Sequence, residues 1–338
     1  MSEHSFYHID KSGKISCIPT VEDALAVSKG EGFIWLLLCE PKIEELSMLI
    51  EPLDLHPLSI EDCVDDKQIP KIEDFPKNTF ILFNYFSYSN KKLMINEINL
   101  FIGKNFLVTV YRRGPNGEKL LDGIEHLVVN DIGNIKQGPS FLMHVVIDYI
   151  VDKKFEAIET LEIELENAEE TMLLNPSNFN LVDLLHLRHD LLALRKSLIH
   201  EREIFVKICR KDCPFITEKA IYHYRDIYDH LAKILELTET FREIVTSLME
   251  IHLSLLNNQM AKAANQTNST VRRLTFITTI FMPLTLLAGI GGMSEWSMMT
   301  TPANWKISYP AFLLGMIIIG IGTYFLLKRL EKIPTSKT

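Results

Sequence analysis

The sequence lacks the local motifs of the common soluble catalysts. It contains no Gly-Lys-Ser/Thr phosphate-binding loop, no HExxH zinc motif and no nucleophile elbow. An ATP-driven pump and a hydrolase are therefore not predicted. Neither ATP nor an organic cofactor is expected as a partner, and the protein is not expected to be an enzyme.

Basic residues are in deficit. The chain has 35 lysines and arginines against 44 aspartates and glutamates, which gives a net charge of −9. Binding to nucleic acid requires clustered lysine and arginine to contact phosphates, and the sequence shows no such compact cluster. Nucleic acid is therefore not expected as a partner.

Cysteine pairs and a signal peptide are also missing. The 5 cysteines are scattered, without a CxxC pair, which is typical of small buried thiols in a reduced compartment. The polar start MSEHSFYHIDKSGK has neither the apolar centre nor the cleavage site of a signal peptide. We expect the part before the apolar C-terminal runs to be cytoplasmic.

Charge is nearly absent from two long runs near the C-terminus, 274–293 and 307–327. Each run has about 20 residues, enough for a helix to cross a hydrocarbon core of roughly 30 Å. We predict two transmembrane helices, joined by a short outer loop at 294–306.

The basic residues that flank these runs predict the orientation. Arg272 and Arg273 precede the first run, and Lys328 and Arg329 follow the second. Because lysine and arginine accumulate on the cytoplasmic side of membrane proteins, both termini are expected in the cytoplasm, including the tail 328–338.

Glycine and proline are absent from Phe215 to Met282, and apolar residues recur there at helical spacing. This pattern predicts one long helix, whose part 215–273 would form a stalk before the first membrane span. Helical periodicity also predicts a hairpin of two helices within 139–214. Short β-type runs with interleaved helical segments predict a small α/β domain at 1–132, including a β-hairpin around Gly103 and Lys104.

The predicted long helix carries a stripe of small or weakly polar residues between flanks of leucine, isoleucine and phenylalanine. Steps of three and four residues link Ser254, Asn257, Ala261, Ala264, Asn268, Val271, Thr275, Thr278, Met282, Thr285 and Gly289. Such spacing is typical of helices gathered in a bundle, and a polar stripe in a membrane span favours a wetted seam. Two helices of one chain cannot enclose water, so a pore requires several copies. Close packing through threonine and small residues is the alternative explanation.

Four stretches of the sequence are distinctive. They are TTIFMPLTLLAGIGGM, LHPLSIEDCVDDKQIPKIEDF, LRHDLLALRK and RDIYDHLAKILELTETFREIV. Together they resemble the CorA family of divalent-cation transporters, in a variant form. The similarity extends over essentially the whole chain and keeps the order of its parts.

The resemblance implies a CorA-like homopentameric funnel: an α/β N-terminal cytoplasmic domain, a long-helix stalk and two transmembrane helices in the inner cell membrane. The implied cargo is hydrated magnesium, with cobalt and nickel as related ions, moving down its electrochemical gradient. The implied pore-lining positions are Asn268, Leu274, Met282, Thr285 and Gly289, and the polar stripe adds Thr278.

The predicted pore mouth departs from the family. The signature Gly-Met-Asn reads Gly292-Met293-Ser294 here, and Glu295 follows. A serine hydroxyl is shorter than an asparagine amide, so a ring of Ser294 would be wider and its dipole weaker. If Glu295 faces the axis, its carboxylates would raise the local concentration of cations at the mouth.

Regulation by cytoplasmic cations is implied as well, through acidic residues that meet between subunits. Asp226 matches the acid of the long helix, but the position of its partner is occupied by Ser89. His223, Asp226 and His230 share one face of the predicted long helix and have the residue types of a zinc site. A solvated or inter-subunit polar face is the alternative.

Three functions therefore remain open at the level of sequence. The first is a channel-type transporter of hydrated magnesium, with cobalt or nickel as further cargo. The second is a zinc transporter of the same superfamily, and the third is a non-conducting membrane scaffold or cation sensor with an altered filter.

Overall fold

The protein is represented by a computed structural model that describes residues 4–65, 68–114, 117–176, 179–292 and 305–331. It divides into two compact units, Met1–Glu250 and Ile251–Thr338. The first unit contains all of the described strands and every described helix that ends before Glu250. The second contains the apolar C-terminal part of the chain.

The first unit is built on a seven-stranded sheet with the order β2-β1-β3-β7-β6-β5-β4. Its strands are β1 (His4–Ile9), β2 (Ile15–Ile18), β3 (Phe33–Cys39), β4 (Lys71–Asp74), β5 (Asn78–Ser89), β6 (Lys92–Gly103) and β7 (Phe106–Tyr111). Among these strands, β3 and β7 pair in parallel and all other neighbours pair antiparallel.

The predicted hairpin around Gly103 is confirmed as the turn between β6 and β7. A Cβ atom at Gly103 would lie 2.3 Å from the Phe106 ring, closer than real Cβ atoms come to other atoms. Any side chain at this position would therefore have to displace the buried Phe106 ring at the point where the chain folds back on itself.

In the described part of the first unit, six short helices surround the sheet, of which the first four share its buried cluster and the last two contact a long helix that follows them. They are α1 (Val21–Val27), α2 (Ile43–Ser47), α3 (Ile50–Leu53), α4 (Pro57–Val64), α5 (Ile124–Asn130) and α6 (Ile132–Ile135). Leucines and isoleucines of α2 to α4 share a buried cluster with alternate residues of β3, such as Ile34, Leu36 and Leu38. All residues of β3 are buried, as expected for a central strand covered on both faces. The predicted α/β domain is confirmed.

Two long helices, α7 (Pro139–Leu174) and α8 (Leu181–Cys209), pack against the sheet. Contacts join α7 to β5, β6 and β7, and join α8 to β4, β5 and β6. Asn175 caps α7 at its C-terminal end, directly before Pro176.

A charged pair lies in this interface. Lys154 of α7 donates a hydrogen bond to Glu201 of α8, and both side chains are 0% exposed. The Lys154 ammonium lies 3.7 Å from the Phe83 ring centroid and 4.5 Å from that of Phe86. The Asn84 backbone N–H and the Ser197 hydroxyl donate to the other Glu201 oxygen, at 3.1 and 3.2 Å. Both oxygens of the buried carboxylate thus accept hydrogen bonds.

The remaining helices are α9 (Ile221–Gly291) and α10 (Trp305–Glu331). Both contain segments that are long and apolar enough to cross a membrane, the second at Lys306–Arg329. In the second unit, a Cβ atom at Gly291 would lie 2.8 Å from the Phe312 ring. Glycine therefore permits the close approach of α10 at this point.

The long helix differs from its prediction at the start. It begins at Ile221 instead of Phe215, and turns occupy the intervening residues. Buried Ile216 and the Thr217 hydroxyl, 3.1 Å from that of Ser140, hold this segment against the beginning of α7. Periodicity alone does not reveal such a tertiary contact, because helical spacing and a turn of buried residues look alike over a few positions.

Candidate pore helix and ion-binding residues

The predicted pore-lining residues all lie on α9, in the second unit. They are Asn268, Leu274, Thr278, Met282, Thr285 and Gly289, and each is exposed in the single chain. Met282 is 77% exposed and Leu274 is 59% exposed. Their apolar neighbours Phe281, Leu286 and Ile290 are exposed as well, and a contiguous apolar surface of this kind normally marks contact with lipid or with further protein.

Four of these residues form a single face. At about 100° of rotation per residue, Thr278, Met282, Thr285 and Gly289 fall within roughly 60° of the helix circumference. They line one surface depression together with Phe281, Leu286 and Ile290. Leu274 and Asn268 lie to either side of this face by the same geometry.

The threonine hydroxyls of this helix are oriented by its own backbone. Thr278 Oγ1 donates to the Leu274 carbonyl at 2.7 Å, and Thr285 Oγ1 donates to the Phe281 carbonyl at 2.8 Å. Because the hydroxyl proton is used in this bond, the oxygen lone pairs remain as acceptors. A cation that keeps its water shell presents O–H donors outward, so these oxygens suit a hydrated cation.

Gly289 completes the face without a side chain. A Cβ atom at this position would meet nothing within 4 Å in the single chain. The glycine is therefore not required by packing within one chain.

The predicted mouth is described only at its first residue. Gly292 follows the end of α9 and its N–H donates to the Ala288 carbonyl at 2.9 Å. Met293, Ser294 and Glu295 lie outside the described residues.

The first turns of α9 carry the second predicted set, His223, Asp226 and His230. His230 Nε2 lies 4.0 Å from Asp226 Oδ1, whereas the His223 ring packs against Phe141, with 5.7 Å between centroids. Across the described part of the chain, no group of three histidine, cysteine, aspartate or glutamate side chains is placed to hold a metal ion. One chain therefore does not assemble a metal site from these three residues.

Two residues of α7, His144 and Asp148, lie close to the histidines of this set and were not predicted from the sequence. The His144 ring lies 4.9 Å from the His223 ring, and burial, helped by the neighbouring His223, lowers the pKa of His144 to about 4. Burial also raises the pKa of Asp148, although the charge of His230 opposes this shift. His144 and Asp148 are four residues apart, so the sequence indicates that they share one face of α7. It does not indicate which helix lies opposite that face.

The described residues thus combine an α/β domain with two helices that are long and apolar enough to cross a membrane, the first with an exposed polar stripe. The family model described as CorA-like Mg2+ transporter protein matches residues 30–329. The chain belongs to this family.

Similar proteins agree with that assignment. The chain is 31% identical over 280 residues to the cobalt/magnesium transport protein CorA of Thermotoga maritima, covering 81% of this chain and 76% of that protein. It is 28% identical over 296 residues to the putative metal ion transporter YfjQ of Bacillus subtilis, covering 87% and 88%.

Solved structures show the same fold. The complete CorA magnesium transporter of Methanocaldococcus jannaschii aligns with a TM-score of 0.68 at 25% identity, covering 96% of this chain and 97% of that one. The ZntB cytoplasmic domain of Vibrio parahaemolyticus aligns with a TM-score of 0.58 at 10% identity, which is a likeness of fold alone. The protein is thus a divalent-cation transporter of the CorA family and not an enzyme.

Proposed function

We propose that the protein assembles as a homopentamer in the inner membrane and conducts hydrated magnesium, with cobalt and nickel as further cargo. Its pore is lined by α9, from Asn268 and Leu274 through Thr278, Met282 and Thr285 to Gly289. The observation that supports this proposal best is the exposed face on which the threonine oxygens are left as acceptors.

The absence of charged side chains among the described residues along the depression on α9 suits an ion that keeps its water shell. The residues that line the surface depression carry no charge, so a bare divalent cation would find no carboxylate there to offset the loss of its water shell. Hydroxyl and backbone oxygens can accept hydrogen bonds from the water shell instead. The names of the relatives from Thermotoga maritima and Methanocaldococcus jannaschii point to cobalt and magnesium as cargo.

The filter in this proposal consists of Gly292, Met293, Ser294 and Glu295, at the outer end of the pore. Both termini lie in the cytoplasm, because the basic pairs next to each span face that side. Ser294 would accept hydrogen bonds from the ion's water shell, and Glu295 would attract cations to the entrance.

Ion flux into liposomes that contain the purified full-length protein tests this proposal. Magnesium flux is expected in the native protein, and Ser294→Asn is expected to change the preference among magnesium, cobalt, nickel and zinc, because the longer amide narrows the ring. Fluorescent indicators for each ion inside the liposomes report the rates.

Two results would contradict the proposal. Zinc flux without magnesium flux would support a zinc transporter of the same superfamily. Absence of flux for all four ions, with flux restored by Ser294→Asn, would support a non-conducting scaffold or sensor.

Met282 is proposed to form a hydrophobic constriction with Leu274. Shortening it through Met282→Ala is expected to raise the leak of magnesium severalfold, because a wider apolar ring dewets less readily. The same liposome assay at high internal magnesium measures this leak. The exposed Ile317→Ala on α10 is the control, and an unchanged leak in Met282→Ala would remove this residue from the gate.

A regulatory metal site is a second proposal, on His223, Asp226 and His230. The specific observation in its favour is the adjacent His144 ring, 4.9 Å from that of His223, which gives the helix pair two imidazoles. Imidazole is a common ligand of zinc, cobalt and nickel. Because one chain does not complete the site, further ligands would come from a neighbouring subunit.

A further inference from the structure

A cleft in the first unit takes no part in the proposed pore. It lies between α8 and strands β5 and β6, next to the segments that precede β4 and follow β7. Its volume is about 530 Å³, within the range of small-molecule sites.

The lining of the cleft is basic, although the chain as a whole is acidic. Lys196 and His200 contribute from α8, and Arg112 and Arg113 contribute from the segment after β7. Glu97 is the acidic residue among the lining residues, and its carboxylate accepts a hydrogen bond from the Gln68 N–H at 2.6 Å. In the part of the chain that the structure describes, Lys196 and His200 have no ion-pair or hydrogen-bond partner.

The two arginines are positioned by the backbone. Arg112 Nη2 donates to the Val64 carbonyl, and Arg113 Nη1 donates to the Gly117 carbonyl at 3.0 Å. Arg113 also lies near a carboxylate outside the cleft, with 3.9 Å between its Nε and Glu40 Oε2. A guanidinium has five N–H donors in a fixed plane, so a group that already has partners can still direct a donor at an anion.

A buried amide adds a second kind of contact. Asn84 is 4% exposed and lines the cleft, and its Nδ2 donates to the Ser197 hydroxyl at 2.7 Å. Its Oδ1 is buried and has no hydrogen-bond partner among the described residues. A buried carbonyl oxygen without a donor is unfavourable, and an N–H or O–H group of a ligand would satisfy it.

These features together select a class of ligand. Several cations around one cleft suit a multiply charged anion better than a single carboxylate, because one carboxylate satisfies one guanidinium fork. Ile69 and Ile95 provide apolar contact beside the polar groups. The required molecule therefore has phosphate groups, a body with a hydrogen-bond donor, and apolar surface.

We propose that this cleft binds an organic phosphate of nucleotide size. Its phosphates contact Lys196, His200 and the two arginines, and a donor on its body contacts Asn84 Oδ1. Motif analysis does not find such a site, because the charged side chains come from separate elements and not from a glycine-rich loop. The proposal concerns binding, and no hydrolysis is implied.

Titration calorimetry of the full-length protein in detergent, in magnesium-free buffer, tests the proposal with ATP and ADP as probes. Saturable binding is expected in the native chain. Lys196→Glu is expected to weaken it by about tenfold or more, because a charged hydrogen bond is replaced by repulsion. The control is Arg188→Glu, which makes a similar charge change at an exposed position of α8 outside the cleft and is expected to leave binding unchanged.

Binding of inorganic triphosphate, compared with binding of ATP, distinguishes the contribution of the phosphate charge from that of the organic part of the ligand. It is expected to bind more weakly than ATP, because it has no donor for Asn84 and no apolar surface. Equal affinity for triphosphate and ATP would overturn the assignment of an organic ligand. Absence of saturable binding by both nucleotides, or an equal loss in Arg188→Glu, would overturn the site.

Discussion

Leucine in place of Gly289 is expected to abolish magnesium flux while the chain still folds and inserts. A Cβ atom at Gly289 meets nothing within 4 Å in one chain, so the side chain creates no clash there. In the proposed pentamer, however, each copy would place this side chain toward the axis, where an apolar ring excludes water. We expect the liposome flux to fall by at least about tenfold, since hydrophobic constrictions gate by dewetting.

Gly315 offers a matched control for this experiment. It lies on α10, and a Cβ atom there also meets nothing within 4 Å. Gly315→Leu adds the same apolar volume to the other apolar helix and is expected to keep its flux. Unimpaired flux in Gly289→Leu, or an equal loss in both variants, would contradict the assignment of Gly289 to the pore.

The fold could be predicted from the sequence where the signal was local. Two charge-free runs of membrane-spanning length and helical spacing before them predicted α9 and α10, because hydrocarbon excludes charge whatever the neighbours are. Short apolar runs bounded by Gly103 and similar turn residues predicted the strands of the α/β domain. The order of the strands could not be predicted, since the parallel pair β3 and β7 joins segments that are far apart in the chain.

The candidate sites, like the fold, could be predicted only where their residues are close together in the sequence. The polar face from Thr278 to Gly289 was visible because its members belong to one helix and follow its period. The contact of His144 with His223 was not visible, because periodicity shows which residues share a face and not which helix lies opposite. Similarly, Arg112 and Lys196 are distant in the sequence, so a search for runs of basic residues does not find their cleft.

The buried ion pair between Lys154 and Glu201 was not predicted from the sequence either, and we expect it to have a large effect on stability. Lys154→Met is expected to lower the free energy of unfolding of the first unit by about 3–5 kcal/mol, because Glu201 would remain charged or be protonated without its buried partner. Urea unfolding of the full-length protein in detergent, followed by the fluorescence of buried Trp35, measures this change. The expected result is a large fall in the urea midpoint with an unchanged slope.

The adjacent residue and a double variant separate the charge effect from lost packing. Lys153 pairs with Glu156 at the surface, with side chains 31% and 63% exposed, so Lys153→Met is expected to change stability by less than about 1 kcal/mol. Adding Glu201→Gln to Lys154→Met removes the unpaired charge and keeps a carbonyl acceptor for the Asn84 N–H and the Ser197 hydroxyl. Most of the lost stability is expected to return, since replacing both members of a buried pair is often close to neutral. Equal stability of Lys154→Met and Lys153→Met would show that Lys154 is neutral in the folded chain and that the pair carries no charge.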